Sequence, residues 1–127
     1  MALTKSIKKW FPGIGHATSY GSALGVAANV GNTTVTVTPS QPCANGYIRV
    51  RNSTVGAAAT TELTSITATD GVTTYQIYGG DSAASTAGQG IERMIPFFTN
   101  LALSSFSVVV AVATANCTVD VEVAGNY

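Results

Sequence analysis

Asp120 and Glu122 stand two residues apart in the segment CTVDVEV, residues 117–123. On an extended strand, residues i and i+2 share a face and lie about 7 Å apart. That spacing is close to the separation of the paired carboxylates in an inverting glycosidase, so the first chemistry to weigh is glycoside hydrolysis, which would need a cleft over this strand face. The same face also carries Thr118, and Arg49 and Arg51 repeat the i, i+2 pattern in YIRVR, residues 47–51. An arginine–carboxylate ladder between two strands accounts for all four side chains with no reaction involved. The ladder is the expectation adopted here, and no enzymatic activity is expected.

Other catalytic sets are incomplete. His16 is the single histidine, whereas a facial-triad iron site needs two histidines and a carboxylate. A zinc site would have to combine His16 with Cys43 and Cys117, far apart in sequence, and no serine sits in a nucleophile elbow. Asp81 beside Gly79 and Gly80 is a lone carboxylate, too little for calcium, and Asp70 belongs to a turn. No cofactor and no metal are expected. Cys43 and Cys117 read as two small buried residues, reduced if the protein is made in a bacterial cytoplasm.

Aromatic side chains exposed on a sheet would mark a sugar-binding face. The candidates are Trp10, Phe11, Tyr20, Tyr47, Tyr75, Tyr78, Phe97, Phe98 and Tyr127, with Phe106 in the core. The strand pattern turns Tyr75 inward and leaves Tyr47 and Tyr78 outward. Two scattered tyrosines make no platform.

The elements that position these residues are strands. At 127 residues the chain is long enough for one domain with a sizeable core. Only 9% of residues are charged, against roughly 25% in an average protein, and Thr, Ser, Val and Gly dominate, which favours strands and turns. Such a surface, covered by hydroxyls and small side chains, suits a subunit packed among neighbours. Formal net charge is zero, and the lysines (Lys5, Lys8, Lys9) all lie at the start. A neutral domain with a small basic tip is a poor match for phosphate backbones, so no nucleic acid is expected as partner. No run reaches the roughly 18 apolar residues of a membrane span, no signal peptide is read, and no membrane partner is expected.

Residues 105–123 carry the strongest apolar signal. Phe106, Val108, Val110 and Val112 point one way and Val109, Ala111 and Ala113 the other, as in a strand covered on both faces. Cys117, Val119, Val121 and Val123 then alternate with Thr118, Asp120 and Glu122, and the two segments are expected to form a hairpin. Residues 33–38 (TTVTVT) and 47–51 are half-exposed strands. Asp70-Gly71 predicts a two-residue hairpin turn, with Ile66 opposite Tyr75, Thr64 opposite Ile77 and Ala68 opposite Thr73. Residues 79–90 are a low-complexity loop, and residues 91–95 a short strand or helical turn ended by Pro96. Six to eight strands at this spacing predict an all-β fold, an antiparallel β-sandwich or jelly roll with an extended N-terminal arm. The domain is drawn as residues 32–127 and the arm as residues 1–31. In the arm, Leu3, Ile7, Trp10 and Phe11 gather on one side of a short amphipathic stretch, with Lys5, Lys8 and Lys9 around the other. Leu3, Ile7, Lys8, Lys9, Trp10 and Phe11 are the expected partner-binding residues, meeting an apolar groove with an acidic rim.

In architecture and composition the chain resembles the decoration (cement) proteins of tailed-phage heads. The segments that carry the resemblance are MALTKSIKKWFPGIGHATSYGS, GQGIERMIPFFTN and the closing TVDVEVAGNY. The likeness implies a capsid-stabilising subunit, made in the host cytoplasm and bound on the outer surface of the virion. Its implied partners are the major capsid protein and further copies of itself, as a dimer or trimer. The alternative reading is a glycan- or receptor-binding module of a phage tail or cell surface, for which the discriminating feature is an exposed aromatic cluster away from any oligomer contact.

Overall fold

The computed structural model describes residues 18–53, 60–79 and 92–126. Eight strands follow in chain order: β1 Thr18–Ala28, β2 Gly31–Val37, β3 Cys43–Asn52, β4 Thr60–Thr69, β5 Thr74–Gly79, β6 Glu92–Leu103, β7 Ser105–Ala113 and β8 Cys117–Asn126. They form two four-stranded antiparallel sheets, β1-β8-β3-β6 (sheet A) and β2-β7-β4-β5 (sheet B). The fold is a jelly roll.

The order has a simple origin. The pairs β1–β8, β2–β7, β3–β6 and β4–β5 are those of one long hairpin with its tip between β4 and β5. Rolling that hairpin up adds the pairs β3–β8 and β4–β7 and brings the apolar faces of the two sheets together. The core between them comprises Ile48, Leu63, Ile66, Phe97, Leu103, Phe106 and the inward valines of β7 and β8, with the Phe97 and Phe106 rings 5.2 Å apart.

The tip is the turn at Asp70, and its register differs from the expected one. Thr69 pairs with Thr74, Ala68 with Tyr75 and Ile66 with Tyr78, so the loop holds four residues, 70–73, in place of two. The Asp70 carboxylate is the reason. Its Oδ1 accepts the N–H groups of Val72 and Thr73, both at 2.9 Å, which satisfies the loop backbone locally. Gly71 takes φ +100° within it, and Val72 is left 93% exposed.

The expected hairpin between β7 and β8 does not form. β7 lies inside sheet B and β8 inside sheet A, each flanked on both sides by other strands. The chain crosses between sheets at Thr114, φ +79°, where Ala115 N–H donates to the Ala113 carbonyl at 3.0 Å. β7 buries Phe106, Val108, Val110 and Val112 and leaves its other face half-buried, so one side of it is covered and not both.

Two boundaries also move. Residues 91–95 were expected to end at Pro96, yet β6 runs through it to Leu103. β6 is an edge strand, where a proline costs no ladder hydrogen bond on the open side. Thr18–Ala28, counted with the arm in the sequence, is strand β1 on the edge of sheet A. Its small residues fit a tight place: a Cβ on Gly21 would fall 2.8 Å from Pro39 Cα. Ser19 is fully buried there, its hydroxyl accepting Gln41 N–H at 2.9 Å and donating to the Gln41 carbonyl.

Candidate functional site

The outer face of sheet A collects the chemistry-bearing residues, and its register arranges them in rungs. One rung runs Asp120–Arg51 across β8 and β3, the next Ser22–Glu122–Arg49–Met94 across β1, β8, β3 and β6. A third runs Tyr20–Ala124–Tyr47–Pro96, and the last Thr18–Asn126–Asn45–Phe98.

The first two rungs hold the ladder expected from the i, i+2 patterns. Arg51 Nη2 lies 2.6 Å from Asp120 Oδ2, and Arg49 Nη1 lies 3.3 Å from Glu122 Oε2. Asp120 is the more committed carboxylate. Its Oδ1 accepts the Gly25 N–H at 2.7 Å from a bulge in β1 between Ala23 and Val26, where Gly25 takes φ +64°. Burial pushes the Asp120 carboxyl up, but the hydrogen bonds from Arg51 and Gly25 outweigh it and hold the group below the usual aspartate range. Both carboxylates are thus engaged by arginines, which is the geometry of a structural ladder.

The last two rungs were not anticipated. Tyr20 is 49% exposed, Tyr47 47% and Phe98 83%, and all three project from the same face. Ala124 separates the two tyrosines, and a cleft of about 180 Å³ opens beside it, bordered by Tyr47, Ala124, Asn45, Asn126 and Thr18. Sequence reasoning missed the cluster because Tyr20 was placed in the arm. The signal available was the spacing of Tyr20, Ser22 and Leu24, which alternate outward along β1. Tyr78, expected outward, is half-buried and accepts a hydrogen bond from Arg93 at 3.1 Å. Tyr75 packs against the core as expected.

Sheet B presents a different outer face. Its cross-strand rows read Thr36–Ser107–Thr67–Gln76, Thr34–Val109–Ser65 and Asn32–Ala111–Glu62, so Glu62 is its one charge among the described residues. A larger cleft, about 320 Å³, lies at the side of the sandwich between β5 and β6, beside Tyr75, Ile77, Phe97 and Leu101.

Cys43 and Cys117 are both buried and free, and burial pushes the Cys43 thiol up to about 11. Among the described residues no cluster of His, Cys, Asp and Glu is placed to hold a metal ion, and no helix is long and apolar enough to cross a membrane. Leu3, Ile7, Lys8, Lys9, Trp10 and Phe11, with His16 and Asp81, lie outside the described residues.

No protein-family model and no curated protein sequence matches the chain. Similar solved structures include the Yersinia pseudotuberculosis-derived mitogen, at 12% identity and TM-score 0.46, over 87% of this chain and 85% of that one. The cyanophage Pam1 capsid asymmetric unit is similar at 16% identity and TM-score 0.38, over 84% and 81%. So is the C-terminal family 22 carbohydrate-binding module of Clostridium thermocellum Xyn10B, at 16% and 0.35, over 84% and 85%. These are likenesses of fold.

Proposed function

We propose that the protein is a structural subunit of a virion, a decoration protein that binds the major capsid protein on the outer surface of a phage head and stabilises the shell. The observation that supports this reading is the outer face of sheet B. Serine, threonine and small apolar side chains make up most of its rows across the sheet, with Asn32 and Gln76 among them and Glu62 the one charge among the described residues. Such side chains lose little rotamer entropy when immobilised, and the absence of Lys and Arg avoids desolvating charge, so the face suits burial against a protein neighbour. The amphipathic segment with Leu3, Ile7, Lys8, Lys9, Trp10 and Phe11 adds a second grip in this reading. Assembly as a dimer or trimer multiplies both through effective concentration.

The test is co-sedimentation of the full chain with heads stripped of it, alongside Thr36→Lys and Gln76→Glu. Both positions are exposed on the sheet B face, and thermal melts check that both variants keep the fold. Loss of head binding by both supports the reading. Full occupancy by both removes sheet B as the docking face.

A second reading, a glycan-binding module, is favoured by one observation: the three exposed aromatic side chains Tyr20, Tyr47 and Phe98 on sheet A.

A further inference from the structure

Tyr20 and Tyr47 sit on one rung with Ala124 between them. Two inter-strand spacings separate their Cα atoms, about 10 Å. The alanine between them leaves a trough bordered by Tyr47, with Tyr20 exposed on the far side of Ala124 along the same rung. Phe98, on β6 opposite Asn45, stands at the adjoining corner.

The floor of the trough is polar at one end. Asn45 and Asn126 are cross-strand partners on the neighbouring rung. Thr99 N–H donates to Asn45 Oδ1 at 3.2 Å, which fixes the orientation of that amide and leaves its NH₂ to donate elsewhere. At the other end the nearest charges are Arg49 and Glu122, paired with each other at 3.3 Å.

We infer that this trough, Tyr20–Ala124–Tyr47 with the Asn45 and Asn126 amides, is a binding site for one pyranose ring of a neutral oligosaccharide. The inference rests on the glycan-binding reading and is independent of capsid attachment. A pyranose has the two surfaces the site offers partners for. Its axial C–H face is apolar and stacks on aromatic rings. Its equatorial hydroxyls each donate and accept, as a carboxamide does in return. The ligand is neutral because Arg49 and Arg51 are committed to Glu122 and Asp120, and no other cation among the described residues lies on these rungs to meet a carboxylate or sulfate.

The experiment titrates the full chain with neutral oligomers of glucose, xylose, mannose, galactose and N-acetylglucosamine, and with one sulfated and one sialylated oligomer, following amide shifts by NMR. The same series is run on Tyr20→Ala, Tyr47→Ala and Tyr47→Phe. Val72→Ala, on the exposed β4–β5 loop, is the control, and thermal melts confirm that each variant folds. A neutral oligomer that binds, loses at least tenfold in affinity with both alanine variants, and keeps most of it in Tyr47→Phe and Val72→Ala supports the inference. Binding that both alanine variants retain, or binding of the charged oligomers alone, overturns this site while leaving a glycan-binding role elsewhere. Absence of binding across the panel at millimolar ligand overturns both.

Discussion

Arg51 and Asp120 face each other directly across β3 and β8, Nη2 to Oδ2 at 2.6 Å, and the other carboxylate oxygen reaches the backbone of β1 at Gly25. One side chain thus ties three neighbouring strands of sheet A. Arg51 Nε is buried with no hydrogen-bond partner, so the guanidinium depends on Asp120 for its compensation.

Replacing Asp120 by Asn therefore removes the counter-charge and weakens the bond to Gly25. The expected loss is roughly 1–3 kcal/mol in urea denaturation at pH 7, below that of a fully buried pair because Arg51 remains about a third exposed. The pH dependence has a definite sign. The Asp120 carboxyl titrates lower in the fold than its ordinary value, so its contribution is complete above about pH 4, the unfolded value, and fades as pH falls through the folded one. The gap between wild type and Asp120→Asn should narrow on acidification below pH 4. Asp70 is also held low, by the Thr73 and Val72 N–H groups, and contributes in the same direction in both proteins. A gap that stays constant from pH 7 to pH 2.5 would count against the ion pair as its source.

Thr114 is a β-branched residue at φ +79°, a conformation that costs such residues about 1–3 kcal/mol. Thr114→Gly relieves that strain, offset in part by the freer unfolded chain, and should raise Tm by a few degrees. Gly71→Ala, at φ +100° with open space around it, should lower Tm through the same backbone effect. Scanning calorimetry on both variants checks the pair, and a drop in Tm for Thr114→Gly would refute the strain.

Cys43 and Cys117 should both resist a disulfide-exchange reagent in the native protein at pH 8 and both react once the chain is unfolded. The raised Cys43 thiol, about 11, leaves little thiolate to attack, and burial excludes the reagent. The two lie toward opposite ends of β8, since Asn45 pairs with Asn126 while Cys117 pairs with Ala28. An intramolecular disulfide is therefore out of reach. Mass spectrometry showing such a bond in the folded monomer would contradict the structure.

Removal of residues 1–17 should leave the sandwich folded with little change in Tm, because β1 begins at Thr18, and in the decoration reading it removes most head binding. Removal of residues 1–22, all within the arm of residues 1–31 drawn from the sequence, deletes the β1 pairs from Thr18–Asn126 to Ser22–Glu122 and uncovers part of β8. That second truncation should lower Tm by many degrees or abolish folding. Full head occupancy by the folded shorter truncation would show that the first seventeen residues are not the clamp.

Alternation of side chains along β2, β3, β7 and β8 was readable directly, and with it the all-β class, the inward valines and the pairing of Arg49 and Arg51 with Glu122 and Asp120. A period of two in apolar character determines which face of a strand is buried, whatever strand lies beside it. The choice of neighbour was not readable, because every backbone offers the same N–H and C=O groups to any partner. The inward faces of β7 and β8 meet across the core from different sheets, an arrangement that alternation along either strand leaves open, since a hairpin in one sheet would bury the same faces. The β4–β5 register was likewise decided by the Asp70 carboxylate capping two N–H groups in a longer loop. For β1 the sequence showed mostly small residues, with only the short Tyr20, Ser22, Leu24 alternation to mark a strand. They form a strand because β8 offers a free edge and because Ser19 and Gly21 fit the close space beneath Gln41 and Pro39. That docking carries Tyr20 onto the rung of Tyr47, so the aromatic trough exists only in the folded sheet.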